Sequence, residues 1–285
     1  MIPVWAYAIA IPVSLAILFR GKKSFAWTTP TVDNNATPSS EPPIPPWSGN
    51  LSGEENTAGY WKKLGATKAK IRIAKLAKEI SDNNLQTKPT YEQFKAWYEE
   101  CGKVFNVPAE LIRGFHCNES GRDPKPLDIN ASKSTATGLG QFLKDTSVGI
   151  GVPFAWQLYW KCAVWSTAKY VSQLGWNLGQ KVPTLEEVNE AHSIAMKWFT
   201  DEAKVEDIPK WYRACMKYWS GSQKKADGAA RYASQILGAD PDGDGDRGAI
   251  TGFDACTVSS MSKWNLVNES GLASFINGSA TSIKG

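Results

Sequence analysis

The sequence predicts a mainly α-helical globular domain behind an N-terminal apolar segment and a proline-rich linker. Three observations carry that prediction. After Trp61, apolar residues recur at helical spacing and long alternating β-branched runs are absent. Ile2 to Phe19 is an uncharged, mostly apolar run. Between the two, Pro30, Pro38, Pro42, Pro43, Pro45 and Pro46 stand among Ser, Thr and Asn, a composition that buries no core and favours an extended spacer. The expected organisation is an anchor at 1–20, a flexible linker at 21–59 and one domain at 60–285, long enough for a sizeable core.

At about 1.5 Å per residue, a helix over Ile2 to Phe19 covers much of a bilayer. A cleaved signal peptide places basic residues ahead of its apolar stretch, whereas Arg20, Lys22 and Lys23 follow this one. A retained membrane anchor is therefore expected ahead of a signal peptide or a buried core helix.

Beyond the linker, Lys62 to Ile80 reads as a basic amphipathic helix. Helices are then expected over Tyr91 to Val104, Pro108 to Ser120, Ala155 to Leu174, Leu185 to Asp201, Pro209 to Ser220 and Ala226 to Leu237. In the second of these, Pro108 suits the first helical turn, and Leu111, Ile112 and Phe115 recur on one face. Glu119 continues that stripe, which points its carboxyl inward. Burial disfavours the charged form and raises the pKa, as a general acid near neutral pH requires. Gly121 and Pro124 end the helix and leave Glu119 in its last turn. A lone glutamate here is also compatible with a solvated surface position. The Gly138-Leu139-Gly140-Gln141-Phe142 run that follows is compatible, alone, with an ordinary glycine-rich turn. Nucleotide binding is disfavoured, because no β-rich run precedes the glycines and no Gly-Lys-Ser/Thr follows them.

Taken together, Glu119-Ser120, Asp123-Pro124, Ala136, Gly138-Leu139-Gly140-Gln141-Phe142 and Thr146 resemble the soluble-lytic-transglycosylase domain of the lysozyme-like superfamily. Thr135 stands where that pattern has a first glycine, and Lys144 where it usually has proline. A later element, Lys217-Tyr218-Trp219-Ser220-Gly221, is similar to the family's Ala-Tyr-Asn-Ala-Gly, with Trp219 in place of the asparagine, and Arg231-Tyr232 resembles a segment that often follows. The likeness spans roughly Phe94 to Ile236 and implies a lysozyme-like fold.

It also implies cleavage of the β-1,4 bond between N-acetylmuramic acid and N-acetylglucosamine in peptidoglycan. Glu119 would protonate the glycosidic oxygen and then, as carboxylate, take the proton from the muramyl C6 hydroxyl as a 1,6-anhydro ring closes. The implied substrate contacts are Ser120, Gly138, Gln141, Phe142 and Tyr218, with Ser120 orienting sugar or Glu119, the glycines letting backbone approach the sugar, and Gln141 lining the cleft. A lysozyme-type hydrolase needs a second carboxylate, for which Asp123 and Asp128 are the candidates. A non-catalytic membrane or virion scaffold that keeps the fold is the rival from another class. Asn268-Glu269-Ser270-Gly271 repeats the four residues around Glu119, but lacks both the preceding helix and the following Gly-Leu-Gly-Gln.

The basic flank after Phe19 puts the domain on the cytoplasmic side by the positive-inside rule, against a substrate that lies outside. Either that short flank does not control orientation in a cellular envelope protein, or the chain is a bacteriophage entry enzyme anchored in a virion membrane.

Asp240-Pro241-Asp242-Gly243-Asp244-Gly245-Asp246 follows the calcium-loop pattern, with Asp240, Asp242 and Asp244 supplying side-chain oxygens and Asp246 its carbonyl. Thr251 replaces the bidentate glutamate, a role open to Asp254 in a longer loop. A structural Ca²⁺ over 240–254 is expected, the other reading being a solvated acidic turn.

The net charge of +4 is mild and gives no motive for nucleic-acid binding, while the basic Lys62 to Lys78 stretch suits a solvated face or an anionic wall or lipid partner. Among 13 tryptophans, Trp156, Trp160, Trp165, Trp211 and Trp219 are candidates for sugar stacking, most of them better read as core. Five cysteines show no metal-ligand spacing with the two histidines and leave the compartment open.

Overall fold

The structure, a computed structural model, describes residues 39–120, 126–127, 136–220 and 227–238. Among these residues the protein is built of helices, and the one β feature is an isolated antiparallel bridge between Thr137 and Phe142. The helices are α1 (Ala58–Lys63), α2 (Ala66–Asp82), α3 (Tyr91–Phe105), α4 (Ala109–Ser120), α5 (Lys144–Gly149), α6 (Trp160–Leu174), α7 (Leu185–Phe199), α8 (Lys210–Ser220) and α9 (Asp227–Leu237). Single 3-10 turns lie at Ser48–Asn50, Phe154–Leu158 and Val205–Asp207.

Local chemistry sets the boundaries. Thr90 and Thr184 cap α3 and α7 through closed capping boxes with Gln93 and Glu187, which satisfy N–H groups that have no partner within the helix. The single helix expected over Lys62 to Ile80 is two helices, because Leu64 is extended and Gly65 starts α2 afresh. Ala155 to Leu174 likewise divides at extended Tyr159 into the 3-10 turn and α6. The short α5 was not expected, since Ser147 is its one buried residue and shows no apolar period.

The linker expected at 21–59 does not extend that far. From residue 39 onward the chain packs on the helices, with Trp47 and Leu51 buried. The Trp165 indole donates to the Ser39 carbonyl at 2.8 Å, Trp61 to the Glu55 carbonyl at 2.8 Å and Trp156 to Asn56 Oδ1 at 3.0 Å. Arg72 Nε also reaches Glu55 Oε1 at 2.6 Å and, with Ser52, holds that carboxyl below its ordinary pKa. A buried indole carries one donor that needs an acceptor, and a strand-free segment offers its carbonyls and side chains to it. Composition does not reveal such pairing.

At the centre lies α4, packed against α3, α6 and α9. Leu111, Ile112, Arg113, Phe115 and His116 are all fully buried, so the helix is enclosed on nearly every side rather than along one stripe. Trp156, Trp160, Trp165 and Trp211 are core residues, whereas Trp219 keeps part of its surface exposed.

No helix among the described residues is long and apolar enough to cross a membrane, and the apolar run from Ile2 to Phe19 lies outside them. Asp123, Asp128, the acidic loop with Asp240, Asp242, Asp244, Asp246 and Asp254, and the repeat at 268–271 also lie outside the described residues.

Candidate active site

Glu119 sits in the last turn of α4, half-buried, one residue before buried Ser120. Part of its surface remains open, yet protein atoms crowd the carboxyl and displace most of its hydration. That desolvation raises its pKa from 4.5 to about 7, while a hydrogen bond from Tyr232 pulls the other way. The Tyr232 hydroxyl, carried on α9 with only 6 % of the residue exposed, donates to Glu119 Oε1 in a very short contact. The acid is thus held by a helix distant in sequence.

Aromatic rings wall this carboxyl. Tyr218 of α8 stacks on Phe115 at 4.2 Å between centroids and lies nearly parallel to Tyr232, at 6.5 Å and 13°. Trp219 tilts against Tyr232 at 6.4 Å. Burial and the Glu119 charge push the Tyr218 and Tyr232 phenols well above their ordinary pKa, so both remain neutral donors.

The glycine-rich run forms a tight loop closed by the Thr137–Phe142 bridge, with backbone bonds of 3.0 and 3.1 Å. Tyr218 fastens it to the acid's side of the molecule by donating to the Gly140 carbonyl at 2.9 Å. Gln141 adopts a positive φ of 47° and its Nε2 donates to the Gly138 carbonyl at 2.9 Å, which leaves its side-chain oxygen as the end available to a ligand. Phe142 is buried, packed edge-on to Tyr170 and Tyr218, and supports the loop from within.

The structure brings Glu119, Tyr218 and the Gly138–Phe142 loop into one neighbourhood. Two roles differ. Ser120 Oγ donates to the His116 carbonyl at 2.8 Å, a bond within its own helix, rather than reaching toward Glu119. The close approach that the glycines permit within the structure is to protein: a Cβ on Gly138 would stand 2.0 Å from the Gln157 carbonyl oxygen, and one on Gly140 2.7 Å from Thr167 Oγ1. Tyr232 had no role assigned from sequence, although it lies in the Arg231-Tyr232 pair; Thr167 and Tyr170 carry no signal in the sequence at all.

Among the described residues no group of three or more His, Cys, Asp or Glu side chains could hold a metal ion. Cys101, Cys162 and Cys215 are buried free thiols, and Cys117 is disulfide-bonded. No protein-family model, no curated protein and no solved structure matches this chain.

Replacing Tyr232 tests the electrostatics directly. A hydrogen bond to a charged group is worth about 1.5–3 kcal/mol, so Tyr232→Phe is expected to raise the Glu119 pKa above 7 by about one to two units. Carbon-13 titration of the Glu119 carboxyl reads that midpoint; a downward shift would contradict the assignment of Tyr232 as the carboxylate's donor.

Proposed function

We propose that this protein is a peptidoglycan lytic transglycosylase with a lysozyme-like domain, anchored in a membrane through residues 2–19 and stiffened by Ca²⁺ in the acidic loop at 240–254. The observation that carries the catalytic part is Glu119: a half-buried carboxyl with a pKa near 7, held by Tyr232 beside a tight Gly138–Gln141 loop. A group titrating near the working pH is the most effective proton donor and acceptor in one residue.

In this mechanism the protonated Glu119 gives its proton to the glycosidic oxygen, and the bond from that oxygen to the muramyl C1 breaks. The charge that develops at C1 is faced by a carboxylate that Tyr232 stabilises. The muramyl C6 hydroxyl then attacks C1 as Glu119 recovers a proton from it, so the acid is regenerated and no water is consumed. Tyr218 and Trp219 offer aromatic surface beside the acid, and the Gln141 carbonyl oxygen a polar contact, for the sugar chain. The rate is expected to fall as pH rises through about 7, where the general acid loses its proton.

Mass spectrometry of muropeptides released from purified peptidoglycan by the full chain tests the proposal. Anhydromuramyl ends that vanish with Glu119→Gln support it. Reducing ends would mean hydrolysis with a second acid, and no release by folded protein would favour a scaffold that binds without cleaving. Detection of the chain in purified virions tests the further proposal that it serves bacteriophage entry.

A further inference from the structure

A buried polar chain crosses the core behind the candidate site. Tyr98 Oη on α3 lies 2.5 Å from His116 Nδ1, and His116 Nε2 lies 2.8 Å from Thr167 Oγ1 on α6. The Thr167 hydroxyl stands beside Gly140, whose carbonyl accepts from the Tyr218 hydroxyl at 2.9 Å. A neutral imidazole donates through one ring nitrogen and accepts through the other, so the bonds to Tyr98 and Thr167 run in one sense along the chain. Burial beside Arg113 keeps the imidazole in that neutral form. The His116 carbonyl meanwhile receives Ser120 Oγ.

We infer that His116 is a positioning residue, which registers α4, and with it Glu119, against α3 and α6 through the buried Tyr98–His116–Thr167 hydrogen-bond chain, whose Thr167 end lies beside Gly140 of the loop. Apolar contacts resist separation of helices but tolerate small slides and rotations. A buried donor–acceptor chain does not, since a displaced member leaves its partners unpaired. Glu119 is three residues beyond His116, so a slide of α4 would part it from Tyr232 on α9. The titratable groups facing Glu119 are Tyr218 and Tyr232; those facing His116 are Tyr98 and Arg113.

The catalytic half of this inference rests on the proposed role of Glu119, and the experiment separates the two. Full-length Thr167→Ser, which keeps the hydroxyl, is expected to retain Tm and kcat; Thr167→Val, which removes it, to lose both. The triple variant Tyr98→Phe, His116→Leu, Thr167→Val leaves no member of the chain with an orphaned polar group and is expected to regain Tm. Its kcat is nonetheless expected to stay about tenfold or more below wild type, and its Glu119 carboxyl-¹³C midpoint to move by about half a pH unit or more. Wild-type kcat and midpoint in the triple variant would overturn the inference. Should that variant not regain Tm, an unchanged midpoint in Thr167→Val does the same. If wild type releases no muropeptides, the kcat arm fails with the proposed reaction, and the Glu119 midpoint alone decides the positioning role.

Discussion

Glu119→Gln is expected to remove glycan cleavage and, at the same time, to stabilise the protein at alkaline pH. The loss of a general acid and base costs about 10²–10⁴ in rate. The gain in stability follows from the same burial that makes the acid useful. Folding raises the carboxyl pKa from 4.5 to about 7, so between those values the folded protein binds more protons than the unfolded chain. Stability contributed by the protonated group is full below pH 4.5 and is lost as pH rises through about 7. The cost at pH 8 is on the order of 3 kcal/mol, and a neutral glutamine does not bear it. The Tm difference between variant and wild type should therefore be small at pH 4.5, widen with pH and level off above 7. A constant difference would mean that Glu119 is not desolvated, and an active variant would remove it from the chemistry.

Much of this arrangement was legible in the sequence, for identifiable reasons. The helical class followed from apolar spacing, and the inward direction of Glu119 from its place after Leu111, Ile112 and Phe115 on one helix. Neighbourhood in space between Glu119 and the Gly138–Phe142 loop was an implication of the family resemblance and not of spacing, and in the structure it runs through Tyr218. What stayed hidden depends on contacts between residues far apart in the chain. Tyr232 meets Glu119 only because α9 packs on α4, and Thr167 meets His116 only because α6 does. No local pattern marks Thr167, and the Arg231-Tyr232 pair marks a segment without showing which group Tyr232 meets. The packed segment from residue 39 was hidden in another way: its proline-rich composition describes a spacer correctly in isolation, and the indoles that claim its polar groups are elsewhere in the sequence.

Two of the glycines with positive φ, Gly138 and Gly151, separate backbone strain from packing, and they are expected to respond very differently to alanine. Gly151, at φ 83°, has nothing within 4 Å of the place an alanine methyl would occupy, so Gly151→Ala costs only the left-handed conformation, about 1–2 kcal/mol. Gly138, at φ 75°, bears the same strain and a collision as well, since its Cβ would lie 2.0 Å from the Gln157 carbonyl oxygen and 3.0 Å from the carbonyl carbon. Gln157 is not free to yield. It is fully buried, and its Nε2 donates to Ser147 and Ser166 at 3.0 Å each. The loop must move instead, and overpacking of this kind adds about 1–3 kcal/mol to the strain. Moving the loop breaks the Tyr218 anchor at Gly140, which also supports the ring beside Glu119. Gly138→Ala should thus lower Tm well beyond Gly151→Ala and reduce kcat/KM by about tenfold or more, with Gly151→Ala active. Equal Tm losses would leave φ strain as the whole cost. An undiminished Tm with weakened peptidoglycan binding would instead restore the view that the bare backbone at Gly138 exists for the sugar.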